Sequence, residues 1–178
     1  MNNHRNHLIT SVFGIALLAS GPVVAGEDSE KKIAQARSAG PAAVSSDATI
    51  VVDGEVVVEG SNGWTCMTDL MPGDNAPVCM DHVWSEMVAA LGAKKAFTAT
   101  KVGVSYMLPG DPEGSGVSNS DPYDPNPTEA DDYVETGPHL MIILPKSALE
   151  GVTDDPTEGG PYVMWKDTDY AHLMVPVK

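Results

Sequence analysis

Basic side chains, cysteines and phenylalanines are scarce in this chain of 178 residues, which sets 10 Lys and Arg against 25 Asp and Glu and has only 2 Cys and 2 Phe. A chain so short of positive charge repels phosphate backbones and anionic lipid surfaces, which argues against nucleic-acid and membrane-surface partners. The sequence also lacks G-x-S-x-G, H-E-x-x-H, the phosphate-cradling G-x-x-x-x-G-K and a G-x-G-x-x-G that opens a helix. Each of those patterns supplies something a reaction needs: a nucleophile on a sharp turn, paired zinc ligands on a helix face, or backbone N–H groups around a phosphate. Without them no catalytic residue can be nominated, and the sequence leans away from an enzyme. Neither C-x-x-C nor C-x-x-C-H occurs, so redox and haem-attachment readings have no footing.

No apolar run reaches the ~20 residues that a membrane-spanning helix needs. The run Leu8–Leu18 follows Met1–His7, which holds Arg5 and no acid, and it is broken at Gly21-Pro22. Val23 and Ala25 then place small residues at the −3 and −1 positions of a cleavage site. Residues 1–25 are therefore expected to be a secretory signal peptide. Its removal leaves nine basic against 25 acidic side chains, a net charge of −16. The expected location is periplasmic or extracellular. In such an oxidising compartment Cys66 and Cys79, with twelve residues between them, are expected to form one structural disulfide.

Residues 26–46 read as an N-terminal helix or tether, in which Glu27–Arg37 has Ser29 as a cap and Gly40-Pro41 as a stop. Residues 47–178 read as a single α+β domain. Ile50–Val52 and Val56–Val58 flank Asp53-Gly54, the composition of a type I′ hairpin, and Trp64–Met67 follows as a third strand of the same meander. Asp81–Leu91 carries Val83, Trp84, Met87, Val88 and Leu91 at helical spacing, with Asp81 as N-cap and Gly92 as stop. Lys101–Leu108 alternates, and its apolar side chains Val102, Val104, Tyr106 and Leu108 mark the face expected to be buried. Residues 109–132 hold seven acidic and no basic side chains, and read as a long solvated loop insertion without the ligand spacing of a calcium loop. His139–Leu144 is apolar on both faces apart from His139, the pattern of a central strand. Tyr162–Lys166 and Tyr170–Val177 read as a hairpin around Asp167-Thr168-Asp169, its last strand running out at an edge because of Pro176. The whole is an α+β fold: a mainly antiparallel sheet with hairpins, one main amphipathic helix and a long acidic loop.

One short phrase occurs twice, as His139-Leu140-Met141 and His172-Leu173-Met174. Residues i and i+2 share a strand face, so each histidine shares a face with its methionine. If Asp167–Asp169 is a three-residue loop, Met164 falls opposite His172; a slip of one residue would put Trp165 there instead. Thioether sulfur suits Cu(I), and imidazole suits copper in either oxidation state. His139, His172, Met141, Met174 and Met164 are accordingly the candidate metal ligands, with copper as the candidate cofactor. The competing reading is a packed core, since methionine fills gaps and a buried histidine is satisfied by one backbone partner. Whether the two rings face a cavity separates these readings.

The segments Gly60–Cys66, Thr136–His139 and Gly159–Trp165, with Tyr170-Ala171-His172, together resemble a group of exported bacterial proteins with no assigned activity. The likeness runs from about Ile33 to Val177. It implies an exported domain and transfers no functional residue. The expectation is an exported domain that binds a small molecule or a protein without catalysis. The alternative is a copper-binding protein.

Overall fold

The computed structural model describes residues 26–71 and 73–177; the expected signal peptide lies outside them. Helix α1 (Glu27–Ser38) and a single turn α2 (Ala42–Ser45) lead into strands β1 (Thr49–Val52), β2 (Glu55–Val58), β3 (Thr65–Met67) and β4 (Val78–Met80). Helix α3 (His82–Gly92) is followed by β5 (Gly103–Met107), β6 (Val117–Ser118), β7 (Tyr133–Val134), β8 (His139–Ile143), β9 (Tyr162–Met164) and β10 (His172–Pro176). Eight strands form one sheet in the order β2-β1-β3-β4-β5-β8-β10-β9, and β6 pairs with β7 in a separate ribbon. The sheet is antiparallel except between β1 and β3. No described helix is long and apolar enough to cross a membrane.

Each face of the sheet carries one helix. Ala36 of α1, with Ala39 just beyond it, packs on Ile50, Val52, Cys66 and Cys79 on one side. Cys66 and Cys79 stand opposite each other on β3 and β4 and are bonded as a disulfide. On the other face Trp84 and Met87 of α3 meet Val78, Met80, Met107, Met141, Tyr162, Met164 and Met174. Asp81 anchors this second layer. Its Oδ1 accepts the N–H of Trp84 at 3.0 Å, and its Oδ2 accepts the N–H of Val104 on β5 at 2.7 Å.

Several local expectations are corrected. Gly26, not Ser29, holds the N-cap of α1, because Glu27, Asp28 and Glu30 already occupy the acid-favouring first turn. Strand β3 does not extend a meander: it lies on the far side of β1 from β2 and runs parallel to β1. The chain crosses back over the start of β1, where Gly60 donates to Thr49 Oγ1 and a Cβ at Gly60 would sit 2.1 Å from Thr49 N. Glycine is needed there for that close passage. Helix α3 ends past Gly92, at Ala93 and a left-handed Lys94.

In β5 the fully buried face is Gly103, Ser105 and Met107, and Val102 is 56% exposed. A Cβ at Gly103 would come within 2.9 Å of Val83 Cγ1, so the small residues of this face let α3 approach the sheet. Strand β10 is interior, between β8 and β9. Pro176 is tolerated because β9 reaches only as far as Tyr162, opposite Met174. The β9–β10 connection is wider than a three-residue hairpin. Trp165 leaves the ladder with φ 54°, donating its backbone N–H to Asn119 O and its indole N–H to Ser118 O.

Candidate functional site

Strand pairing places all five candidate ligands on the helix α3 face. Met141 of β8 stands opposite Met174 of β10. His139 stands opposite Met107 of β5, and His172 opposite Met164 of β9. The antiparallel β8–β10 pair has a local two-fold axis between Met141 and Met174. That axis carries His139 onto His172 and Met107 onto Met164. The result is a floor of four methionines and two histidines spread over four adjacent strands, with a thioether opposite each imidazole and another two residues along.

The histidines sit at different levels of the sheet. His139 is level with Pro176 of β10, while His172 lies one residue beyond the Leu173–Ile142 pair. Four residues of strand separate the two levels, roughly 13 Å at the usual rise. Each imidazole has its own pair of thioethers, and, after burial, the charge of His139 is among the causes that lower the pKa of His172.

Both rings are held in the same way. The carbonyl two residues earlier receives Nδ1, from Gly137 at 2.7 Å for His139 and from Tyr170 at 2.9 Å for His172. A carbonyl cannot donate, so each Nδ1 carries the proton and each Nε2 is a bare lone pair. For His172 that lone pair is buried and has no hydrogen-bond partner. Trp84 and Trp165 flank the His172 ring edge-on, at centroid distances of 5.0 and 5.1 Å. Burial drives the His172 pKa down to about 4, and it lowers that of His139 as well. Both imidazoles are therefore neutral near pH 7.

Above the floor is a cavity of about 320 Å³, lined by both histidines and by Met87, Met107, Met141, Met164 and Met174 among others. Helix α3 supplies one wall through Trp84, Met87, Val88 and Leu91. The acidic stretch supplies another, so it is not simply a solvated insertion. Ser118 O and Asn119 O are fixed by Trp165, and the Tyr123 hydroxyl sits 2.8 Å from that of Tyr170, which donates to Lys95 O. Asp74, Asp111, Asp121 and Asp124 line the cavity, and among the described residues no Lys or Arg does. Asp111 accepts the N–H of Thr136 at 2.7 Å; burial, with smaller contributions from the charges of Glu135 and Asp74, raises its pKa to about 6. Among the described residues no group of three or more His, Cys, Asp or Glu is placed to hold a metal.

Sequence reasoning does not find Met107, Asp111, Trp84 or Trp165 as parts of this site. Met107 has no signal beyond lying on the small-residue face of β5, and its neighbourhood with His139 is a long-range pairing. Searches against protein-family models, curated proteins and solved structures find no match to this chain.

Proposed function

We propose that this chain is an exported, non-catalytic binding domain that takes a small ligand into the cavity over the His/Met floor. The observation that carries the reading is His172, a lining residue of a cavity of about 320 Å³ whose buried Nε2 has no partner. An unmatched buried acceptor costs roughly 1–3 kcal/mol, and a ligand that brings a hydrogen-bond donor or a Lewis acid recovers that cost. The volume falls in the range of small-molecule pockets, with an apolar body and few polar groups. Four aspartates and no basic side chain among the described lining residues disfavour carboxylates and phosphates. Against catalysis stands the lack, among the described residues, of a nucleophile hydrogen-bonded to either imidazole.

Three probes of one shape test the reading: 2-naphthol, which carries a donor, naphthalene, which carries none, and 2-naphthoate, which is anionic. Emission of Trp84 and Trp165 reports binding, since both indoles touch His172. Saturable binding of 2-naphthol is expected, stronger than naphthalene by about 2–10-fold, the worth of one hydrogen bond. In His172→Phe that advantage disappears. No saturable response to 2-naphthol or naphthalene, or 2-naphthoate as the strongest ligand, would overturn the proposal.

A further inference from the structure

The cavity reading says that His172 Nε2 awaits a partner but does not say which kind. The donors around it narrow the choice. Met164 is the direct cross-strand neighbour of His172, and Met174 lies two residues along on the same face. Cβ atoms of such neighbours are about 4.5–5.5 Å apart across strands. Same-strand neighbours stand about 7 Å apart. Methionine has three rotatable bonds, so both thioether sulfurs can turn towards one point above the imidazole.

We propose that this end of the floor binds a soft monovalent metal ion, Cu(I) or Ag(I), through His172 Nε2 and the thioether sulfurs of Met164 and Met174. The inference rests on the cavity reading, because the ion fills the vacant acceptor that motivates it. Donor chemistry selects the ion. Thioether and imidazole favour Cu(I), whereas zinc, calcium and magnesium want thiolates, carboxylates or several imidazoles. The cysteines are bridged, and no described cluster of His, Cys, Asp and Glu competes. Orientation fits as well: a ligating histidine ordinarily donates its other N–H to a carbonyl or carboxylate, which fixes the tautomer, and Tyr170 O does this for His172.

Gap filling accounts for one methionine beside one buried imidazole. It gives no reason for the arrangement to recur around the Met141–Met174 axis, where His139 is matched with Met107 and Met141 in the same relation. Carboxylates at Asp74, Asp111, Asp121 and Asp124, with no cation among the described lining residues, favour entry of a positive ion.

The test uses the mature protein with its disulfide intact, under anaerobic conditions, competing for Cu(I) against bicinchoninate. Ag(I) is titrated in parallel and followed by quenching of Trp84 and Trp165. The expected result is at least one tightly held ion, since the His139 end repeats the donor arrangement. In the volume-conserving variant M164L/M174L, Cu(I) affinity should fall at least tenfold. Should the double variant not fold, M164L alone, on edge strand β9, carries the comparison. Cu(I) left entirely with bicinchoninate, or held as tightly by the leucine variant as by the natural chain, would refute the metal site. If 2-naphthol binds and Cu(I) does not, the soft-ion inference fails and the cavity reading stands. If neither binds, both fail.

Discussion

Met141 and Met174 face each other across β8 and β10, and the two-fold axis between them makes the two His-Leu-Met segments equivalent in space as well as in sequence. Their equivalence has one break. The Nε2 of His172 is buried and unpartnered, with Trp84 and Trp165 on either side, while Asp111 bonds Thr136 just ahead of the strand that carries His139. Both ends carry two thioethers, but the His172 end is flanked by two indoles and the other is edged by a carboxyl. That asymmetry sets the acid–base behaviour of the domain.

His172 should make the fold acid-sensitive. Its pKa is about 4 when folded, against an ordinary value near 6.5, so the unfolded chain takes up the proton first as pH falls. The stabilising contribution is complete above pH 6.5 and is lost as pH drops towards 4. Integrated over that window it amounts to roughly 3 kcal/mol. Urea unfolding at pH 7 and pH 4 should show a smaller pH-dependent loss in His172→Phe than in the natural chain, by about that amount. An imidazole resonance for His172 that titrates near 6.5 in the folded protein would contradict this account.

Asp111 works with the opposite sign. A carboxyl held at about 6 prefers its neutral form when folded, so its charge opposes folding above pH 6 and the penalty fades as pH falls towards 4. Asp111→Asn should therefore stabilise the protein at pH 7.5 by about 1–2 kcal/mol, a value reduced for the partial exposure of the group. Asparagine keeps an oxygen for the Thr136 N–H, so the hydrogen bond survives. The gain should vanish at pH 4. A destabilised variant at pH 7.5 would mean that the ionised carboxylate is needed where it stands.

Much of the coarse architecture is legible in the sequence because its signals are local. Mixed helix and strand content, a largely antiparallel sheet and the Cys66–Cys79 bridge follow from alternation, helical spacing and the cysteine count. The shared face of each His and its Met likewise follows from strand alternation alone. What is hidden depends on distant partners. Val102 and Val104 look like the inward face of β5, yet Val83 needs the space over Gly103 and takes the opposite face inward. The acidic stretch looks solvated because composition does not reveal that Ser118 O and Asn119 O will receive the two N–H groups of Trp165. The parallel pairing of β3 turns on one glycine passing over Thr49.

The disulfide should contribute substantially to stability. It closes a loop with a sequence separation of 13, which the chain-entropy argument values at ~3 kcal/mol. The same loop supplies Leu70, Met71, Asp74 and Ala76 to the cavity. Cys66→Ala/Cys79→Ala should lose about 3 kcal/mol by urea unfolding at pH 7. A loss well under 1 kcal/mol would assign the loop's order to its own hydrogen bonds, such as Leu70 N–H to Ala76 O and Asn75 N–H to Asp69 Oδ1.

Asp81 should couple the stability of the fold to the geometry of the site. One carboxylate oxygen caps α3 at Trp84, and the other accepts from Val104 on β5. The backbone N–H of Asp81 donates to Val104 O, closing a small ring between helix and strand. Trp84 is thereby seated where its indole N–H reaches Met141 O and its ring meets His172. Asp81→Ala removes both acceptors and should cost about 2–4 kcal/mol, the sum of a helix cap and a charge-assisted hydrogen bond. Asp81→Asn keeps one oxygen, and its amide NH₂ cannot accept from Val104. Its cost should fall about halfway between the two, with the Trp84 N–H still capped. Urea unfolding of the three proteins separates the contributions. Equal losses in the two variants would mean that a single oxygen does not hold the cap. An asparagine variant as stable as the natural chain would show that the Val104 bond adds nothing, and that β5 and α3 are held together by packing at Gly103 and Val83.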